Sequence, residues 1–269
     1  MPTFTPKPLA IGLGNSSVTV TNPTHSSVNP AILAWRLFLF ALHIGLGLLA
    51  VLLLFPFCQS AFKRSLKNRW SKYLLATLGV TLKIEGKLPQ GSLLLVANHV
   101  SWLDIYLINS LAPVAFVSKA DVRQWPLIGW LAAHNDTIFL KRGSRGHAHI
   151  INTEIAKVLA DGCPVTVFPE GTTTEGNTLL HFHGALLQPA LSVGAKLVPL
   201  AIRYYQNEPS IACPAAAYAG DTTLGACVLA IAGCRNLTAQ LVVLPPLEGN
   251  DRKLLAIEAR QSIANRLNI

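Results

Sequence analysis

The two side chains best placed to do chemistry are His99 and Asp104, in the run Asn98-His99-Val100-Ser101-Trp102-Leu103-Asp104. That run follows the apolar, strand-like segment Leu93–Ala97 and leads into the helix-like segment Trp102–Leu111. His99 is therefore expected at the carboxyl end of a strand, where open α/β sheets bind ligands. A chain bending from strand to helix brings the Asp104 carboxylate back to the imidazole. One ring nitrogen is then fixed as a donor and the other is left free as a base. Such a base takes the proton from a hydroxyl as it attacks an acyl carbonyl, worth ~10²–10⁴ in rate. The start of the helix also offers backbone N–H groups to a developing oxyanion. The plainer reading is a structural turn histidine beside an aspartate favoured at a helix N-terminus. With no G-x-S-x-G elbow nearby, direct transfer is expected rather than a covalent acyl-enzyme.

Three further runs carry polar groups to strand ends. In Thr137-Ile138-Phe139-Leu140-Lys141-Arg142 the cations Lys141 and Arg142, with Arg145 beyond them, sit between a strand and a helix. That is the composition of an anion site, or of a solvated basic loop. Lys119 follows the strand-like Val114–Val117 in a similar position. In Val165-Thr166-Val167-Phe168-Pro169-Glu170-Gly171-Thr172 a buried type of strand ends in a turn that projects Glu170 at the same sheet edge as His99. Glu170 would accept bonds from a substrate hydroxyl or hold Arg142, or simply belong to a turn. In Lys196-Leu197-Val198-Pro199-Leu200-Ala201-Ile202-Arg203-Tyr204-Tyr205 the proline interrupts a strand-like run, which predicts a sheet edge or a bulge. His181 and His183 lack a nearby third ligand, so no metal is expected.

The elements that must position these residues read as an α/β domain with a mostly parallel central sheet flanked by helices. Strands are expected at Leu93–Ala97, Val114–Val117, Thr137–Leu140, Val165–Phe168, Leu197–Ile202 and Gln240–Leu244. Helices are expected at Trp102–Leu111, Pro126–Ala133, His147–Ala160, Gly184–Val193 and Asp251–Leu267. Leu224–Gly233 is apolar but too short to span a bilayer, which makes it a buried or interfacial segment. Residues 1–30 are rich in Pro, Ser, Thr and Asn and predict a disordered tail. Residues 31–58 are apolar apart from Arg36 and His43 and are long enough for a membrane-anchoring helix. Residues 59–81 form a basic amphipathic membrane-surface segment, with Lys63, Arg64, Lys67, Arg69 and Lys72 toward headgroups and Phe62, Leu66 and Trp70 as apolar contacts. That basic excess places residues 82–269, the catalytic domain, on the cytoplasmic side.

Composition agrees. The 22 Lys and Arg outnumber the 13 Asp and Glu, giving a net charge of +9 on a chain with only 13% charged residues. Such a balance suits an anionic lipid surface or an acidic substrate. No zinc spacing or recognition helix points to nucleic acid. The five cysteines are scattered and never spaced C-x-x-C, which predicts free thiols in a reducing compartment.

In this order and at this spacing, the four runs resemble the glycerolipid acyltransferase family, specifically the bacterial 1-acyl-sn-glycerol-3-phosphate acyltransferases. The resemblance covers about Leu82 to Leu247. It implies a glycerolphosphate-acyltransferase-like fold, with His99 as base and Asp104 as its orienter. It further implies acceptor phosphate binding by Arg142, with Lys119 and Lys141 beside it, and acceptor binding by Glu170, Gly171 and Thr172. Val198 and Pro199 are implied to place the acyl chain. The donor implied is acyl-CoA or acyl-carrier protein, with no metal or redox cofactor, and the location a bacterial inner membrane. His134-Asn135-Asp136 departs from the family, where many relatives carry glycine. The leading expectation is acylation of the 2-hydroxyl of lysophosphatidic acid to phosphatidic acid, with membrane lipids as partners and no nucleic acid. The alternatives are another lysolipid acceptor such as lyso-ornithine lipid, a non-catalytic lipid-binding protein, or a hydrolase in which the same base activates water.

Overall fold

The computed structural model describes residues 26–124, 128–133, 137–140 and 145–269. Among these, seven strands form one sheet: β1 (Thr81–Glu85), β2 (Leu93–Ala97), β3 (Ala115–Lys119), β4 (Thr137–Leu140), β5 (Val165–Val167), β6 (Lys196–Tyr205) and β7 (Thr238–Val243). The order across the sheet is β1-β7-β6-β2-β5-β3-β4. All neighbours are parallel except β6 and β7. The carboxyl ends of β2, β3, β4, β5 and β6 therefore share one edge. The helices are α1 (Pro30–Leu53), α2 (Ser60–Thr77), α3 (Asp104–Leu111), α4 (Ile128–Ala133), α5 (Arg145–Ala160), α6 (Gln188–Val193), α7 (Leu224–Gly233) and α8 (Arg252–Leu267). One face of the sheet packs beneath α1, α2, α3 and α7, and the other beneath α5, α6 and α8. Strand β2 is buried along its whole length because it lies mid-sheet between these layers.

The structure departs from expectation at three places. Strand β1 was not expected. It is a half-exposed edge strand carrying Lys83 and Glu85, and it forms by pairing with β7, Thr81 opposite Thr238. Pro199 is at neither an edge nor a bulge: it pairs opposite Val96 within β6, an interior strand. Its carbonyl accepts from Leu244 N–H, just past the end of β7, so its missing N–H faces a point where regular pairing has stopped. Helix α2 is not only a surface segment. Leu74, Leu75 and Leu78 enter the core, Lys67 is buried and donates to the Val114 carbonyl at 2.7 Å, and Trp70 packs on His43 of α1 and on Tyr106.

Helix α1 begins at an Asn29 cap that accepts from Ala31 N–H, with Pro30 at the first helical position. It gives way at Leu54 to a short turn containing Pro56, which cannot continue the hydrogen-bond ladder. It is the one helix among the described residues long and apolar enough to cross a membrane. Yet one stripe of it is docked onto the protein. Arg36 donates to the carbonyls of Ala232 and Cys234, both at 2.9 Å, so α7 receives a cation at its C-terminal end. His43 Nε2 donates to the Trp70 carbonyl at 2.9 Å and its ring stacks on the indole. The opposite stripe, with Trp35, Phe38, Leu42, Leu46 and Leu49, is exposed.

Candidate active site

Asn98, the residue after β2, anchors the chain as it turns away from the sheet. Its side chain imitates one more residue of the ladder, accepting from Ile202 N–H at 2.8 Å and donating to the Ile202 carbonyl at 3.0 Å. The next residue, His99, leaves the sheet edge with its backbone tied. Its N–H donates to Glu170 Oε1 at 2.8 Å, and its carbonyl accepts from Thr174 N–H at 2.9 Å. Its ring lies flat against Phe168, with centroids 3.9 Å apart and planes 14° apart. Asp104, the first residue of α3, has no exposed surface. Its Oδ2 accepts from His99 Nδ1 at 2.7 Å and from the N–H groups of Val100 and Ser101 at 2.8 and 3.0 Å. Tyr204 donates to its Oδ1 at 2.7 Å.

These contacts set the proton inventory. A carboxylate surrounded by donors favours the proton on Nδ1, which leaves Nε2 as the acceptor nitrogen of the ring. Among the described residues Nε2 has no partner, and the His99 side chain keeps 20% of its surface exposed. The N–H groups of Val100 and Ser101, which precede α3, are committed to Asp104.

Glu170 arrives from the turn after β5. It is buried, and its second oxygen accepts from Leu180 N–H at 2.9 Å, so both oxygens are engaged by backbone. Burial pushes its carboxyl up, against the pull of those two donors. Gly171 follows at φ +70°, a left-handed turn that glycine adopts without strain, and Thr172 is exposed beside it. Val198 is fully buried in the core, next to Pro199. Lys119 is the last residue of β3, at the same sheet edge as His99. Lys141 and Arg142 lie outside the described residues, as do His134, Asn135 and Asp136. The site thus assembles His99, Asp104 and Glu170 with two residues the sequence did not single out. Both stood in runs already noted, Phe168 after β5 and Tyr204 in the run that holds Pro199. Tyr204 lies a hundred positions from the carboxylate it contacts, beyond the reach of any local pattern.

Residues 79–203 match the family model described as Acyltransferase. The chain is 39% identical over 229 residues to the lyso-ornithine lipid O-acyltransferase of Pseudomonas aeruginosa, covering 82% of this chain and 86% of that one. The chain belongs to the acyltransferase family. This acyltransferase is also 34% identical over 197 residues to the 1-acyl-sn-glycerol-3-phosphate acyltransferase of Neisseria gonorrhoeae, covering 71% of this chain and 76% of that one. Its fold is that of the 1-acyl-sn-glycerophosphate (LPA) acyltransferase PlsC from Thermotoga maritima, with a TM-score of 0.64 at 20% identity over 88% of this chain and 94% of that one. The acyltransferase is thus an acyl-transferring enzyme of the LPA acyltransferase type.

Proposed function

We propose that this acyltransferase moves a fatty-acyl group from acyl-CoA or acyl-carrier protein onto the hydroxyl of a lysolipid, without a covalent enzyme intermediate. His99 Nε2 takes the hydroxyl proton as the oxygen attacks the thioester carbonyl. Asp104 steadies the imidazolium that forms. The C–O bond is made, the C–S bond breaks, and the proton passes from His99 to the departing thiolate. The observation that carries this reading is the 2.7 Å bond from Nδ1 to a carboxylate without exposed surface, which leaves Nε2 open. His99→Ala should lower transfer by at least ~10²-fold in purified enzyme that still binds membranes. Near-normal turnover of that variant overturns the mechanism.

For the acceptor, the relative with 39% identity and 86% coverage favours lyso-ornithine lipid, whose amino-acid head carries a carboxylate. A second reading, lysophosphatidic acid, is favoured by the cations Lys119, Lys141 and Arg142 and by the Neisseria relative. A panel of lysolipids with either thioester decides between them. Under the phosphate reading, Arg142→Ala raises the KM for lysophosphatidic acid and leaves kcat. Thiol release without any acceptor would instead mark a hydrolase. Lipid binding without thioester consumption would mark a non-catalytic protein.

The site must meet a substrate that lives in the bilayer. Phe40 of α1 packs against Trp102 of the His99–Asp104 loop, with ring centroids 6.1 Å apart. The apolar outer stripe of α1 therefore brings the bilayer next to the base. We place α1 within one leaflet, docked on α2 and α7, with the exposed cations of α2 (Arg64, Arg69 and Lys72) toward cytoplasmic headgroups.

A further inference from the structure

Asp104 is held by more than the histidine it serves. Three donors converge on Oδ2, and a single side chain, Tyr204, reaches Oδ1. That contact is built into the sheet. Beyond Leu200, which pairs with Ala97, β6 runs on past the end of β2. Leu200, Ile202 and Tyr204 alternate onto the same face, the one covered by α3, so the extension carries the phenol over the start of that helix. Tyr204 is 1% exposed, and its own carbonyl accepts from Cys213 N–H at 2.8 Å.

We propose that Tyr204 is a positioning residue for the reaction proposed above, fixing the plane of the Asp104 carboxylate and setting how strongly that carboxylate holds the protonated His99. A hydrogen bond on Oδ1 draws negative charge away from Oδ2 and weakens its grip on the imidazolium. The base is then returned more readily to its neutral, working form. Burial and the adjacent carboxylate push the phenol well above the ordinary tyrosine range, so it remains a donor at every working pH. Among the described residues, two other titratable groups act on the pair. Glu170 comes from the turn after β5, and Cys227 from α7 lies within electrostatic reach of Asp104. Neither donates a side-chain hydrogen bond to Oδ1.

The inference rests on the His99–Asp104 reading, and its test separates the two. In Tyr204→Phe the ring volume is kept and the hydrogen bond lost. Asp104 becomes the stronger partner, imidazolium is stabilised, and the acid limb of kcat/KM moves to higher pH. The shift should be about half a unit or more, with kcat down about tenfold and both KM values within about twofold. Tyr204→3-fluorotyrosine keeps the native shape with a more acidic phenol, and moves the limb the opposite way, to lower pH. A merely structural tyrosine would lower the unfolding midpoint of Tyr204→Phe and leave the limb in place. If Tyr204→Phe does not fold, the fluorinated protein alone decides. An acid limb unmoved by fluorination overturns the inference, whereas activity surviving His99→Ala overturns the mechanism beneath it.

Discussion

At the scale of single residues, Glu170 is the most exacting position after the dyad. Each of its two oxygens takes one backbone N–H, from His99 and from Leu180. Glutamine offers one oxygen and an NH2 group, so Glu170→Gln turns a donor toward one of those N–H groups in a buried place. We expect a loss of about 1–3 kcal/mol in stability, the usual cost of one unsatisfied buried group. The backbone of His99 should also loosen. Denaturant titration measures the first effect, and the second appears as a fall in kcat with little change in the acceptor KM. If acceptor KM rises and stability is unchanged, Glu170 touches substrate instead.

At the scale of elements, the junction of α1 with α2 is set by a small residue. A Cβ on Gly47 would sit 2.7 Å from Trp70 Nε1, closer than the two helices allow. Gly47→Val therefore forces the helices apart and disturbs the His43–Trp70 stack. A destabilisation of about 1–3 kcal/mol is expected from such overpacking. Limited proteolysis between residues 54 and 59 should accelerate. Because Trp70 also packs on Tyr106 of α3, and Tyr106 on Trp102, activity should fall with it. Full activity in a variant with α1 demonstrably displaced would disconnect that helix from the His99–Asp104 loop.

At the scale of the whole molecule, the polar groups of α1 face the protein and its apolar stripe faces out. Leu42 and Leu46 lie on that stripe, away from the core. Leu42→Asp with Leu46→Asp should leave the fold and the activity on dispersed, detergent-solubilised lipid intact while weakening vesicle binding by tenfold or more. A buried charge costs about 2.5–3.5 kcal/mol in hydrocarbon, less near the interface. Flotation with anionic vesicles tests this, and unchanged binding would remove the stripe from the membrane contact. The residual binding should decline as salt rises, since exposed cations on α2 act through screened attraction.

The residues of the proposed site were legible in the sequence because they are local: His99 and Asp104 share one strand-to-helix bend, and Glu170 sits in its own Pro-Gly turn. The interior strands were legible too, since burial on both faces writes itself as continuous apolar runs in β2 and β6. What neighbours what across the sheet was decided only by tertiary structure. Edge strand β1 carries little apolar signal and exists through its partner. Trp70 and Lys67 look like lipid contacts by composition and are packing groups by geometry. The Sγ atoms of Cys213 and Cys234 come within 3.7 Å although nothing in their spacing pairs them. The same holds for Tyr204: sequence periodicity reports which face of an element is buried, but not which distant side chain meets it there.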